Sequence, residues 1–190
     1  MIDRLIQYDK ALMLYLNGMH NAFFDSIMWA ISGRMIWIPF YLLLTAYLAW
    51  LYRKHAVWPI LLAILAVSIS DFTSVHLFKE VFHRLRPCHD PEIGHLVHIV
   101  GNYCNGLYGF VSSHASNTFA LASILSLVVR KKWFTLLMFS WAGIVSYSRI
   151  YLGVHFPGDV ICGALWGTAV SLLLYRLLRS IPSFKARSGI

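Results

Sequence analysis

Apolar residues in this chain come in long runs and do not alternate with polar ones. Five of these runs, at 35–52, 57–78, 113–129, 133–147 and 158–178, are read as membrane-spanning helices. Two shorter pieces precede them. Residues 1–20 read as an amphipathic helix, with Leu5, Ile6, Leu12, Leu16 and Met19 near one face and Asp3, Arg4, Asp9 and Lys10 as its polar residues. Such a segment suits the membrane interface better than a span. Residues 22–33 form a short apolar stretch interrupted by Asp25, read as a re-entrant or partly inserted helix. A polar segment rich in Pro, Gly and His occupies 79–109, and the tail after Arg179 is polar again. The pattern predicts an all-α, polytopic membrane helix bundle. It forms a single domain, with N-terminal helices over 1–33, a helical core over 34–180 and an outer loop over 79–110. Five spans are expected, or six if the N-terminal helix crosses the bilayer.

Composition supports this reading. The chain is 58% hydrophobic and 13% charged, whereas soluble domains carry about 25% charged residues. So little polar surface cannot cover a water-exposed globule. The net charge of +8 invites a nucleic-acid reading, but the basic residues gather at span ends and in one polar segment, so no nucleic-acid partner is expected. In the five-span arrangement one membrane face receives Arg53, Lys54, Arg130, Lys131, Lys132, Arg176, Arg179, Lys185 and Arg187, and no acidic residue. The bias of Lys and Arg toward the inside places that face in the cytoplasm of a bacterial inner membrane and the polar segment on the periplasmic or outer side. Trp58, Trp133, Tyr147 and Tyr151 near span ends read as interface anchors. Asp3, Arg4, Asp9, Lys10 and Asn17 interrupt any apolar signal core, so no cleavable signal peptide is expected.

The topology puts three polar clusters on the outer side. These are Lys79 through Arg86-Pro87, then Ser112-Ser113-His114, then Ser148-Arg149 with His155 and Asp159. Polar groups in or beside a membrane are costly and usually mark function. Lys79, Arg86 and Arg149 would repel one another unless an anion sat between them, and guanidinium forks match phosphate geometry. Lys79 and Arg86 are spaced for one helical face, with Pro87 expected to end that helix. Ser112 suits an N-cap, whose free N–H groups and positive dipole form a second phosphate-binding element. His114 is placed to donate a proton to a leaving oxygen. Pro157 fits a first helical position, which sets Asp159 one turn after His155, where a carboxylate fixes the imidazole tautomer and frees the other nitrogen to attack.

With these residues the sequence resembles the type 2 phosphatidic acid phosphatase (PAP2) superfamily. Lys79 and Arg86-Pro87 match its first motif in full, and Ser148-Arg149, His155 and Asp159 match its third. Val111-Ser112-Ser113-His114 matches the second, Pro-Ser-Gly-His, only at Ser and His. The resemblance implies a metal-independent lipid phosphatase without a cofactor. His155 would attack phosphorus to give a phosphohistidine, His114 would protonate the leaving oxygen, and Asp159 would orient His155. Lys79, Arg86, Arg149, Ser112 and the N–H of Ser113 would hold the phosphoryl oxygens. Implied substrates are undecaprenyl diphosphate, phosphatidylglycerol phosphate, phosphatidic acid and lipid A phosphates, presented by the bilayer, with no obligate protein partner. An anion transporter or channel, and an inactive lipid-phosphate-binding relative, are the competing classes.

Several residues fall outside this scheme. His83 and Arg84 read as interfacial anchors and not as ligands. His89, His95 and His98 share the outer loop with Asp90 and Glu92, but their irregular spacing reads as a polar loop surface more than a zinc site. Cys88 and Cys104 lie in the same loop. A disulfide is expected there in an oxidising compartment, with two free thiols as the alternative. Cys162 reads as packing, and Asp71, inside the second span, has no assigned role.

Overall fold

The computed structural model describes residues 2–180 apart from 103 and 105, so the expected cytoplasmic cations Lys185 and Arg187 lie outside the described residues. The described residues form helices α1 (Ile2–Asn17), α2 (Ala22–Ser32), α3 (Ile38–Tyr52), α4 (Val57–Thr73), α5 (Ser113–Val129), α6 (Lys132–Tyr151) and α7 (Pro157–Arg179). α4 continues through a π-helical stretch, Ser74–Lys79, and a last turn, Glu80–Phe82. Three stretches, Met35–His55, Val57–Phe82 and Pro157–Arg179, are long and apolar enough to cross a membrane by length and composition. Leu42, Leu43, Leu61, Ile64, Leu136, Leu165 and Leu173 are exposed on the outsides of the helices. That is the surface expected of a bundle whose solvent is lipid.

The bundle is built around α5, which packs against α4, α6 and α7. Its buried positions include Ala115, Ser116, Thr118, Ala120, Ala122 and Ser123. These small side chains let neighbouring backbones approach closely. α7 answers with Gly163 and Gly167. A Cβ on Gly163 would lie 2.6 Å from the carbonyl oxygen of Ser112, and one on Gly167 would run into the carbonyl of Ser116. Hydrogen bonds stitch the same contact. Ser171 Oγ donates to the Ala120 carbonyl at 2.8 Å, Ser123 Oγ donates to Thr168 Oγ1 at 3.2 Å, and the Ser70 and Ser116 hydroxyls share a bond of 2.5 Å. Away from the site, Leu48, Leu62, Leu125, Phe134, Met138 and Trp141 form the apolar core. At that end Tyr52 donates to the Val128 carbonyl and Arg130 to the Tyr175 hydroxyl, so the basic ends of α3, α5 and α7 meet on one side.

The face of α1 toward the protein is mixed: Asp9, Lys10 and Asn17 share it with Met13, Leu14 and Leu16, which pack into an apolar cluster. Leu5, Ile6, Leu12 and Met19 are exposed, whereas Met13 and Asn17 are buried. Asn17 is fully bonded: its amide donates to the carbonyls of His98 (3.0 Å) and Tyr151 (2.7 Å) and accepts from the His98 N–H (2.8 Å). Lys10 reaches Asp90 and Glu92 at 2.9 and 2.7 Å. Burial opposes its charge, but the hydrogen bonds to Glu92 and Asp90 win and raise its pKa. Asp90 and Glu92 are therefore committed to a lysine. His98 stacks on His20 and bonds Asp25, and His89 Nε2 lies 3.4 Å from Cys104 Sγ, so the three loop histidines do not converge. Cys88 and Cys104 form a disulfide, with Cα atoms 6.4 Å apart.

One local expectation is corrected. The helix carrying Lys79 ends at Phe82, not at Arg86. His83 takes a left-handed conformation (φ 47°) and stops it. Arg86 then follows in extended backbone, pairing its N–H with the Leu107 carbonyl while Gly109 N–H donates to the Arg84 carbonyl. Competition from this loop pairing ends the helix early.

The crossing of α5 and α7 makes a stability prediction. Gly167→Leu must push the two backbones apart, at a cost of at least about 2 kcal/mol. A thermal-unfolding scan in detergent should show a lowered Tm. A variant that unfolds like wild type would mean the crossing is looser than described.

Candidate active site

Lys79, Arg86, Ser113, His114, Arg149 and His155 line one cavity of about 690 Å³. Each arrives for a local reason. The π-helical stretch of α4 carries Lys79, whose ammonium donates to Ser113 Oγ at 2.8 Å. The extended segment after His83 carries Arg86, whose Nε donates to the Tyr108 carbonyl at 3.3 Å. Arg149, in the last turn of α6, is 4% exposed and donates to Ser32 Oγ, so α2 helps hold it. Ser112 is the N-cap of α5, its Oγ accepting from Ala115 N–H, and its own N–H donates to the Asp159 carbonyl at 3.0 Å. That bond ties the second motif to the third.

The replacement of Gly by Ser at 113 causes no backbone strain. Ser113 opens α5 and is not among the residues with positive φ. Its hydroxyl also does something glycine cannot, bonding both Lys79 and Ser74 Oγ (2.7 Å).

The third motif folds tightly. The Arg149 carbonyl accepts from Val154 and His155, and Gly153 turns the chain at φ 75°. A Cβ on Gly153 would lie 2.6 Å from Val97 and 2.8 Å from the His98 carbonyl, so both the turn and the space require glycine. Pro157 starts α7, and Asp159 Oδ2 caps it by accepting from the Phe156 N–H at 3.0 Å. His155 is 2% exposed and Asp159 is fully buried, with Nδ1 of His155 3.5 Å from Oδ2 of Asp159. That is longer than an ordinary hydrogen bond, as is common in unliganded sites that tighten on substrate. Burial, then Arg86, Arg149 and Lys79, hold the His155 imidazole neutral, its pKa well below the usual histidine value. A neutral imidazole keeps the lone pair that nucleophilic attack needs.

Arg84 is not an interfacial anchor. Its guanidinium bridges two carboxylates, donating to Asp159 Oδ1 at 2.7 Å and to Asp9 Oδ2 at 2.6 Å, and it lies 4.2 Å over the Phe156 ring. Asp9 also accepts from the Gly158 N–H at 2.8 Å, at the start of α7. A chain of polar contacts therefore runs from α1 through Arg84 to Asp159 and His155. No sequence spacing signals a pair separated by 75 residues. Arg34, just before the first span, was also missed. It sits at the cavity lip with Ser32 and Gly33, and its position at a span end was the available signal.

Four cations, Arg34, Lys79, Arg86 and Arg149, and two histidines around one cavity, with a helix N-terminus beside it, make a site suited to an anion. Comparison with known proteins agrees. The PAP2 superfamily model matches residues 56–181, and the chain belongs to that superfamily: it is a multi-pass membrane phosphatase. It is 37% identical to lipid A 4'-phosphatase of Bacteroides thetaiotaomicron, over 96% of this chain and 82% of that protein. It is 33% identical to lipid A 4'-phosphatase of Porphyromonas gingivalis, over 93% and 75%. The fold is shared with the transmembrane PAP2 type phosphatidylglycerolphosphate phosphatase of Bacillus subtilis, at a TM-score of 0.72, 24% identity and coverage of 95% and 89%. Aquifex aeolicus LpxE shares it at a TM-score of 0.64, with 24% identity and coverage of 87% and 93%.

The bridge through Arg84 makes a kinetic prediction. Arg84→Met should lower kcat roughly 10- to 100-fold while KM changes by less than about threefold, because Arg84 orients Asp159 without touching the phosphoryl group. A KM rise matching the whole loss in kcat/KM would place Arg84 on the substrate instead.

Proposed function

We propose that this phosphatase removes a phosphate from the headgroup of a membrane lipid at the outer face of the bacterial inner membrane, through a phosphohistidine. The observation that carries this reading is the continuity of two cavities. The charged cavity shares Tyr41, Val67, Ser68, Asn117 and Thr118 with an apolar groove of about 470 Å³ between α3, α4, α5 and α6. A charged site opening onto an apolar groove between helices fits a substrate with a phosphate at one end and a hydrocarbon chain at the other. Among the candidate lipids, the two relatives that act as lipid A 4'-phosphatases favour a lipid A phosphate.

The phosphoryl group sits among Lys79, Arg86, Arg149 and the first N–H groups of α5, which neutralise its oxygens. The free ring nitrogen of His155 attacks phosphorus in line with the leaving oxygen. The N–P bond forms as the P–O bond to the lipid breaks, and His114 gives that oxygen its proton. Water then attacks the phosphohistidine, His114 takes a proton from it, and inorganic phosphate leaves. Asp159 holds the imidazole tautomer and balances the charge that His155 gains. Fixed cations do the charge stabilisation that a divalent metal supplies in many phosphoryl-transfer enzymes. In this reading α1 lies in the outer interface, its exposed Leu5, Ile6 and Leu12 toward lipid.

Purified protein in detergent should release phosphate from a lipid A 4'-phosphate in the presence of EDTA. His155→Ala should reduce kcat at least about 10³-fold. Acid-stopped reactions with labelled phosphate should leave an acid-labile phosphoryl group on wild type and none on the variant. Activity that EDTA abolishes, or a variant that retains it, would overturn the mechanism. No release from any lipid phosphate by well-folded protein would overturn the function.

A further inference from the structure

The part of the cavity that borders the apolar groove holds two side chains that the phosphoryl chemistry does not use. Asp71 and Asn117 line the same cavity as the catalytic groups, and Asp71 is the one carboxylate among its lining residues. Their placement is regular. α4 and its π-helical continuation present Asp71, Val75 and Lys79 at four-residue steps, so the lining passes from an ammonium to a carboxylate. α5 repeats this from Ser113 to Asn117, one turn and about 6 Å further along its axis. Asn117 Nδ2 donates to Asp71 Oδ1 at 2.7 Å. A carboxylate oxygen only accepts, so this bond fixes the amide: its NH₂ faces Asp71 and its Oδ1 points elsewhere. That Oδ1 is buried and meets no donor among the described residues. Asn117 also borders the apolar groove, so the pair lies between the phosphate cluster and the place for the lipid tail.

We infer that Asp71 and Asn117 form a headgroup subsite that accepts hydrogen bonds from neutral donors, hydroxyl or amide N–H, carried by the lipid beside the cleaved phosphate. This rests on the lipid-phosphatase reading above. What the pair offers is acceptors, the remaining carboxylate lone pairs and the Asn117 carbonyl, and an acceptor without a donor is costly once substrate excludes water. A second phosphate brings only further acceptors and negative charge against Asp71. A diacylglycerol phosphate, with its other two oxygens esterified, brings no donor. An ammonium would pair with Asp71 but would enter a cavity lined by Lys79, Arg86 and Arg149. An acylated amino sugar meets the requirement with neutral hydroxyl and amide groups. The subsite therefore selects a glycolipid phosphate over diphosphate and diacylglycerol phosphate lipids.

The test compares kcat/KM of the full-length protein in detergent on three lipids. These are an acylated glucosamine phosphate, a long-chain amino-alcohol phosphate and a diacylglycerol phosphate. Wild type should prefer the sugar lipid. Asn117→Leu and the isosteric Asp71→Asn should each shrink the ratio of sugar lipid to diacylglycerol phosphate roughly tenfold, the value of a lost hydrogen bond in a water-poor site. Variants that slow both lipids equally, leaving the ratio intact, would make the pair a helix brace and overturn the proposal. A ratio that collapses only for the amino-alcohol lipid would overturn the preference for neutral donors. Wild type that cleaves all three lipids equally would overturn the subsite while leaving the phosphatase standing. Wild type that cleaves none would remove the phosphatase reading and the subsite with it.

Discussion

The close crossing of α5 and α7 is the constraint on which the site depends. Gly163 and Gly167 let α7 lie against the backbone of α5 where any side chain would hold it off. Helices in lipid gain little from burying apolar surface against each other, so close packing and hydrogen bonds must do the work. Here both are present, from Ser171 to the Ala120 carbonyl and from the Ser112 N–H to the Asp159 carbonyl. The crossing sets the start of α5, with Ser112, Ser113 and His114, beside the start of α7, with His155 and Asp159. The two histidines of the cavity, His114 and His155, come from different segments, and their registration is a property of this one contact.

Charge explains much of what surrounds that contact. Lys79, Arg86 and Arg149 converge on a space whose only lining carboxylate among the described residues, Asp71, is bonded to Asn117. Such an arrangement is poised for an anion, and the protein holds it open through fixed partners: Ser113 for Lys79, the Tyr108 carbonyl for Arg86, and Ser32 for Arg149. Behind the site the balance is reversed. Asp159 is buried, and a buried carboxylate without a partner is strongly destabilising. Arg84 supplies the partner, and Asp9 of α1 takes up the rest of the guanidinium. The N-terminal helix is thus part of the electrostatic support of Asp159.

The same helix brings polar groups, beside Met13, Leu14 and Leu16, to its contact with the protein. In water an amphipathic helix would bury Leu5, Ile6 and Leu12 in the protein. Here these are exposed, while Asp9, Lys10 and Asn17 face the protein and its outer loop. The polar end of the bundle, with its loop and helix termini, is the surface that needs hydrogen bonds. Lipid is the solvent for the rest.

Hydrophobic periodicity alone determined the all-helical bundle, because a span must be long, apolar and internally hydrogen-bonded. The three polar clusters likewise marked Lys79, Arg86, Ser112, Ser113, His114, Arg149, His155 and Asp159, since charge at a membrane is too costly to be incidental. The chain did not disclose where local order yields to distant contacts. Helix spacing carried Lys79 to Arg86 on one face, but pairing with residues 107–109 breaks that helix after Phe82. Arg84 read as a surface anchor because its partners, Asp9 and Asp159, each lie 75 residues away. Asp71 had no role until α5 brought Asn117 beside it. Periodicity is a local property of the chain, whereas the pairing of buried charges and amides is decided by which helices cross, and only the tertiary structure holds that information.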